Sequence, residues 1–495
     1  MEAQDASRSA GVAATENNSR NDETIPGEQD SSDTAELGES LSAIDRQYAV
    51  QTEIPRRIHI MGVGSIGKLI AHAIRGIANP PPVTLMLYKR SSFNAWEKSK
   101  QEITINDDGT EIRRGGYDAE LMPLVKTQHG VQMEAGKSDL YDYGDSVRPH
   151  EAARAFAEQR QPQAQGSQRE VRSRQAMEAG MTSYVPDDGS EEPIHNLIVT
   201  LKGPNTLSAL RKIQYRLLPS STICFLQNGM GVIDELNTEL FPDPTTRPNY
   251  MQGIITHGVN VPPAKAAQDP FYAVHAGHGT IALGLLRRTP LHKPTPSEAI
   301  RASAQDKHDL QFELWAPSSR YLLRTLTRTP VLAAVGFAPT ELLQQQLEKL
   351  AVNSVLNPLT VLLDSRNGGI LYNFAMTRTM RLMLAETSLV IRSLPELANI
   401  PNIATRFSAQ RLETLVVSVA NTTKDNVSSM LADVRAGRQT EVEYINGYIV
   451  KRGEEMGIKC VVNYSIMQLV LGKGNLVQHE VREGVRIEGS NSGEH

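Results

Sequence analysis

The chain has only two cysteines, Cys224 and Cys460, among its 495 residues. A disulfide framework and a cysteine-based zinc site are therefore excluded as its organising principle. No uninterrupted apolar run approaches the roughly 18 residues that a spanning helix needs, so a membrane partner is not expected. Basic charge is nowhere concentrated. Residues 1–50 hold eleven acids against three bases, so this head carries −8 of a total of −5 and the rest of the chain is near +3. A near-neutral body behind an acidic head lacks the basic face that nucleic-acid binding uses. The N-terminus has neither the apolar stretch of a secretory signal nor the Arg-rich, acid-poor character of a transit peptide, and the expected location is cytoplasmic. With 40% hydrophobic and 22% charged residues, the chain has the length and composition for two to three globular domains. Small-molecule chemistry is the class that remains.

Polar stretches divide the chain. Residues 1–53 are rich in Ser, Glu, Asp and Asn and read as a disordered acidic extension, because they cannot bury enough apolar surface to offset the entropy of ordering. Residues 146–193, with six Gln between Gln159 and Glu192, read as a surface insert. Residues 289–309 read as a shorter insert or linker, and 479–495 as a polar tail. Two folded blocks remain, 54–288 and 310–478.

The first block alternates strand and helix, which predicts a parallel sheet covered by helices. Arg57 to Met61 is a short β-type run. The apolar residues after it, Ile66, Leu69, Ile70, Ala73, Ile74 and Ile77, share one helical face. Further strands are predicted over 83–88, 197–201 and 222–226, the last after a helix carrying Leu207, Leu210, Ile213 and Leu217. The second block reads as mostly helical. The predicted class is α/β plus all-α: an N-terminal Rossmann-type dinucleotide-binding domain followed by a helical C-terminal domain.

Between the first strand and the first helix stands Gly62-Val63-Gly64-Ser65-Ile66-Gly67, the GxGxxG pattern. Its glycines permit a tight turn, close backbone approach to a pyrophosphate and helix-on-strand packing, while the helix N-terminus offers N–H groups to the anion. An NAD site places an Asp or Glu at the end of the second strand. Here that position holds Lys89-Arg90, and no acid occurs between Gly67 and Glu97. Arg90 would complement a 2′-phosphate, so the cofactor expected is NADP, used as NADPH. Two more candidates end strands on the same predicted edge: Lys202, and Asn228 opening Asn228-Gly229-Met230-Gly231.

In the helical block Lys349, Asn353 and Asn357 lie four apart and share one helix face, a polar stripe in an apolar segment. Pro358 would free the carbonyl of Ser354, an irregularity common near sites. Farther on, Thr440-Glu441-Val442-Glu443 reads as a capping box ahead of a helix whose apolar side is Val442, Ile445, Tyr448 and Ile449, with Gly457 as its end. Glu441 is then expected in the first turn, where the helix dipole favours its charged form.

Taken together these residues resemble the ketopantoate reductase (2-dehydropantoate 2-reductase) family. The resemblance covers both blocks. It rests on Gly62 to Gly67, Lys202, Asn228 to Gly231, Lys349 to Asn353 with Asn357-Pro358-Leu359-Thr360, and Ser428-Ser429-Met430-Leu431 through Arg435 to Glu441 to Gly447. It implies reduction of the ketone of 2-dehydropantoate by NADPH, giving pantoate for pantothenate and coenzyme A synthesis. By that analogy Lys349 is the general acid and Glu441 holds the lysine or the substrate hydroxyl, while Asn353, Asn357 and Ser429 orient the 2-oxoacid substrate. Gly62, Gly64, Ser65, Ile66, Gly67, Arg90, Lys202 and Asn228 would hold the cofactor. No metal is assigned, and homodimer formation is left open. The acidic head, the inserts and the tail depart from the family pattern and put substrate identity in question. The alternatives are a reductase of another 2-oxoacid or ketone, and a cofactor-binding regulatory or scaffold protein without catalysis. Retention of both Lys349 and Glu441 argues against the last.

Overall fold

The structure is a computed structural model that describes residues 55–123, 190–286 and 315–483. The readings of 1–53 as disordered and of 289–309 as an insert lie outside these residues, as does nearly all of the stretch 146–193. In chain order the strands are β1 (Ile58–Met61), β2 (Val83–Leu87), β3 (Ile103–Asp107), β4 (Thr110–Arg114), β5 (Tyr117–Leu121), β6 (Ile194–Val199), β7 (Leu217–Phe225), β8 (Asn249–Ile255), β9 (Gly258–Asn260), β10 (Tyr272–Gly277), β11 (Ile281–Leu285) and β12 (Ala334–Gly336).

Eight of them form one sheet, in the order β12-β11-β8-β7-β6-β1-β2-β5. From β5 across to β8 every neighbour is parallel, and numbering those six strands along the chain gives the order 3-2-1-4-5-6 of a doubly wound dinucleotide fold. β1 and β2 are buried along their whole length, because a parallel strand is covered on both faces. The β11 strand turns back antiparallel to β8 and carries β12 as the last strand. That pairing draws residues expected in the helical block into the sheet body. The helix Pro317–Thr327 packs on the same sheet, so the helices of the second block begin only at Pro339.

Helix α1 (Ser65–Arg75) follows β1 as predicted, and Leu69, Ile70, Ala73 and Ile74 are buried on the expected face. Its opposite face is buried as well, since a second sheet, β4-β3-β10-β9, lies over it. That cover explains why Lys68 and His72 are 5% and 3% exposed on a helix read as amphipathic. Lys68 Nζ donates to the Tyr272 carbonyl at 3.2 Å, and burial lowers its pKa to about 8. Helix α2 (Arg90–Lys98) follows β2, and α3 (Gly203–Arg211) and α4 (Val232–Glu239) follow β6 and β7. The helix read across Leu207 to Leu217 stops at Arg211, and Leu217 already pairs with Ile194 as the start of β7.

The helical block contains α5 (Pro339–Leu363), α6 (Phe374–Ser393), α7 (Ala409–Thr422), α8 (Ser429–Arg435), α9 (Val442–Glu455) and α10 (Val461–Glu483). α10 runs five residues, 479 to 483, into the stretch read as a polar tail from 479. α5 is the central element, packed by α6, α7, α8, α9 and α10. It passes through Pro358 without a break. The carbonyl that Pro358 frees, on Ser354, accepts from Asn446 Nδ2 at 2.8 Å, and the same nitrogen lies 3.1 Å from Asn463 Oδ1. Asn463 Nδ2 in turn donates to Glu386 Oε2 at 2.8 Å. Four helices are thereby tied by one buried polar chain, in which Asn446 and Asn463 are fully buried.

Asn446→Ala should cost about 1–3 kcal/mol, the penalty for leaving a buried carbonyl unpaired. Pro358→Ala restores a backbone N–H able to reach Ser354, so part of that cost should disappear in the Pro358→Ala background. Urea denaturation of the four proteins of this double-mutant cycle measures the coupling. Equal costs in both backgrounds would mean that the Ser354 carbonyl is not what Asn446 serves.

Candidate active site

The glycine turn joins β1 to α1 at the carboxyl edge of the parallel strands. Gly62 has φ +100°, a conformation that L side chains rarely adopt, and a Cβ there would lie 2.9 Å from the Leu201 nitrogen. At Gly67 a Cβ would come within 2.0 Å of the Gly62 carbonyl oxygen, so helix and strand can close only on glycine. Gly64 is different. A Cβ there would meet nothing within 4 Å, and the residue is the N-cap of α1 with no side-chain capping bond and no acid in the first turn. Ser65 and Ile66 are half-buried beside it. The first turn of α1 is thus left without a side-chain cap beside an open position, an arrangement that suits an anion. Lys89 is the N-cap of α2 and Arg90 its first residue, both exposed at the end of β2, again with no acid in the first turn.

A cleft opens between the sheet edge and α5. It is lined by Gln227, Asn228, Gly229 and Met230 after β7, by Gly253 and Ile254 of β8, and by Gln346, Lys349, Leu350 and Asn353 of α5. Lys349 Nζ donates to the Ile255 carbonyl at 2.7 Å. Burial lowers the Lys349 pKa to about 8, while the charge of Glu441 works in the opposite direction. Gln227 Nε2 donates to Thr206, and Gln227 Oε1 is buried without a hydrogen-bond partner among the described residues.

Glu441 sits behind Asn228. It takes the N-cap position of α9 rather than its first turn, and makes no side-chain cap there, so the predicted capping box does not form. Its carboxylate instead reaches across to the sheet body. It accepts from Asn228 Nδ2 at 3.3 Å and from the Gly203 N–H, in the first turn of α3, at 3.4 Å. The dipole that favours this charge is that of α3, not of its own helix. Burial nevertheless raises the Glu441 pKa, against the opposing effects of Asn228, Gly203 and Lys202.

Further contacts lock the same seam. Met230 N–H donates to the Tyr444 carbonyl at 2.8 Å, and Tyr444 Oη donates to Glu235 at 2.9 Å. Gly229 and Gly231 have φ +82° and +96°, and a Cβ on Gly229 would stand 2.6 Å from the Tyr444 carbonyl oxygen. Lys202 pairs with Asp433 at 2.5 Å and donates to the Gln439 carbonyl at 3.2 Å. Its ammonium is thus engaged with the helical block.

The cleft brings together Asn228, Lys349 and Asn353, with Glu441 against Asn228. Asn357 lies one turn farther along α5, 6% exposed. Ser429 is exposed at the start of α8, and its neighbour Ser428 is the buried residue, capping Leu431 N–H and contacting Thr360 Oγ1 at 2.7 Å. Sequence reasoning missed Gln227, Gln346 and Asp433. Gln346 carried a signal, being three residues before Lys349 on the same helix face; the pairing of Asp433 with Lys202 carried none.

A doubly wound sheet with a glycine turn, closed by a helical block that brings a buried lysine to the cleft, is the architecture of a two-part nicotinamide-dependent oxidoreductase. Comparison with known proteins agrees. The description "Ketopantoate reductase PanE/ApbA" matches residues 149–288, and "Ketopantoate reductase PanE/ApbA C terminal" matches residues 341–474. The chain is 28% identical over 278 residues to a 2-dehydropantoate 2-reductase of Archaeoglobus fulgidus, covering 55% of this chain and 74% of that protein. It is 22% identical over 466 residues to a ketoisovalerate reductase of Beauveria bassiana, covering 87% of this chain and 85% of that protein. In fold it is similar to D-mandelate dehydrogenase solved with NADH and anilino(oxo)acetate, with a TM-score of 0.53 at 16% identity over 85% of this chain and 99% of the other. The chain belongs to the ketopantoate reductase family. It is an oxidoreductase of the ketopantoate reductase type.

Gly229→Ala should destabilise the protein by about 1–3 kcal/mol, since it forces a left-handed backbone onto alanine against a fixed carbonyl. Gly64→Ala, where a Cβ meets open space, should leave thermal stability within about 0.5 kcal/mol of the unmodified chain. Differential scanning calorimetry of both variants separates a seam glycine from one kept for ligand approach. Similar melting temperatures for the two would contradict the assignment.

Proposed function

We propose that the protein reduces the ketone of 2-dehydropantoate with NADPH, and that Lys349 is the general acid. The observation that carries this reading is the Lys349 ammonium in the cleft, with a pKa lowered to about 8 by burial and its proton directed at a backbone carbonyl. A group with that pKa holds a proton at neutral pH and releases it readily. The residues fit a dinucleotide: Gly64 is open, the α1 N-terminus is uncapped, and Gln227 Oε1 is an acceptor left for a hydroxyl or amide donor. Gly62, Gly64, Ser65, Ile66 and Gly67 would hold its pyrophosphate, and Asn228 would hold its ribose. When bound, the cofactor supplies the hydride.

Lys349 gives its proton to the oxygen of the reacting ketone and stabilises the negative charge that develops there. Glu441 keeps Lys349 in its charged form through space, because the carboxylate itself is engaged by Asn228 and Gly203. Asn353 projects into the same cleft and orients the substrate. Asn357 and Ser429 would serve only the far end of a substrate, given their places outside the cleft lining. Lys202, held by Asp433, is assigned to closing the cleft as much as to touching the cofactor. Arg90 and Lys89, exposed at the end of β2 with no acid near in sequence, favour the 2′-phosphate of NADPH over the free hydroxyl of NADH.

A second reading is favoured by coverage. The ketoisovalerate reductase of Beauveria bassiana aligns with 87% of this chain, against 55% for the Archaeoglobus 2-dehydropantoate 2-reductase. Both substrates are branched 2-oxoacids that ask the same chemistry of Lys349. Steady-state turnover of the two acids with NADPH distinguishes the readings. A higher kcat/KM for 2-ketoisovalerate would make it the substrate and leave the role of Lys349 intact.

The acid must be protonated to act, so kcat/KM for reduction should hold below pH 8 and fall as pH rises through about 8, while the reverse oxidation gains over the same range. Lys349→Ala should lower kcat by roughly 10²–10⁴ with little change in NADPH affinity. Full activity in that variant would remove Lys349 from the mechanism. For the cofactor, Arg90→Ala should raise the KM for NADPH with less effect on NADH, and equal specificity constants for the two in the unmodified protein would refute the preference.

A further inference from the structure

Apart from the cleft, the small sheet over α1 gathers Asp107 at the end of β3, His275 on β10 and His278 in the turn that follows. The parallel pairing of β3 with β10 puts His275 directly opposite Asp107. One atom of each of the three residues lies within 4.8 Å of the others. His275 Nδ1 is 3.7 Å and His278 Nε2 is 2.9 Å from Asp107 Oδ1. Asp107 Oδ1 has the exposed His278 ring beside it, while His275 is only 2% exposed and its Nδ1 is buried without a hydrogen-bond partner among the described residues. Buried polar atoms are rarely left so.

The protons on this cluster are fixed by backbone groups. His257 Nε2 lies 3.0 Å from the Leu332 carbonyl, which can only accept, so this nitrogen carries a hydrogen. His257 Nδ1 receives the Gly279 N–H at 3.1 Å and is therefore an acceptor. His275 Nε2, 3.0 Å from that same Nδ1, must then be the donor of the pair. A neutral His275 is left with a bare lone pair on Nδ1, 3.7 Å from a carboxylate oxygen. Two lone pairs facing one another in a buried place repel unless a cation lies between them.

We propose that Asp107 Oδ1, His275 Nδ1 and His278 Nε2 form a site for a divalent transition cation of the zinc type, with solvent completing its coordination. Zinc bonds of about 2.0–2.1 Å in tetrahedral geometry set ligand atoms roughly 3.4 Å apart. The separations of 2.9 and 3.7 Å bracket that value, and His278, the most exposed of the three, is free to adjust. The His257 contact supplies the outer hydrogen bond that orients a ligating histidine. Two imidazoles and one carboxylate favour a borderline cation over magnesium or calcium, which prefer oxygen alone. The role is structural: the ion pins the end of β3 to the turn between β10 and β11, and so holds the small sheet onto the helix that carries the glycine turn.

The test uses the full chain stripped with a chelator and then dialysed against zinc chloride, with bound metal and melting temperature as readouts. One zinc per chain and a higher melting temperature are expected, with no shift from magnesium chloride. His278→Ala, at an exposed ring, and the near-isosteric Asp107→Asn should each weaken zinc binding by about tenfold or more. Zinc uptake that neither substitution weakens, or no uptake by the unmodified chain, would overturn the site.

Discussion

The buried carboxylate of Glu441 is the constraint around which the cleft is organised. It leaves its own helix uncapped and accepts instead from the first turn of α3 and from Asn228, so one charge in the helical block satisfies two donors of the sheet body. Burying a carboxylate is costly unless its oxygens are engaged, and both donors that engage these come from the sheet body, so the bonds form only when the two blocks meet. The glycines at 203 and 229 follow from the same demand, because a side chain at either would strike Tyr444. Lys349 then stands half-buried in the cleft wall, between the Ile255 carbonyl and a distant negative charge. Cleft geometry and lysine chemistry thus have a common origin.

The second constraint is the burial of α1 from both sides. Packing between two sheets holds α1 in place, as the proposed role of its N-terminus in binding a pyrophosphate requires. Lys68 and His72 are the cost of this arrangement, polar residues at positions where water is excluded. Each finds a carbonyl partner on the covering sheet, at Tyr272 and Ile112. The proposed cation would act on that same cover.

Much of this was legible in the sequence. The strand runs at 58–61 and 83–87, the glycine turn and the face of α1 follow from local periodicity, and the Lys349, Asn353, Asn357 stripe follows from a spacing of four. What stayed hidden depends on contacts between distant segments. The local pattern Thr440 to Glu443 is a sound capping box, and only the presence of α3 across the seam redirects Glu441. The Ser428-Ser429 pair gives no clue as to which hydroxyl turns inward. β12 is three residues long and belongs to the sheet only because β11 offers it an edge. His275-x-x-His278 is visible as a pair, but Asp107 joins it through the parallel pairing of β3 with β10.

The proposed chemistry requires that the charge of Glu441 keep Lys349 protonated while the seam stays closed. The pH profile of kcat/KM in Glu441→Gln, set beside that of the unmodified enzyme, measures this directly. The glutamine keeps the shape and removes the charge that raises the lysine pKa. The expected result is a folded protein whose activity falls off at lower pH than the limb expected near 8 for the unmodified chain. A descending limb that stays where it was, or moves to higher pH, would contradict it.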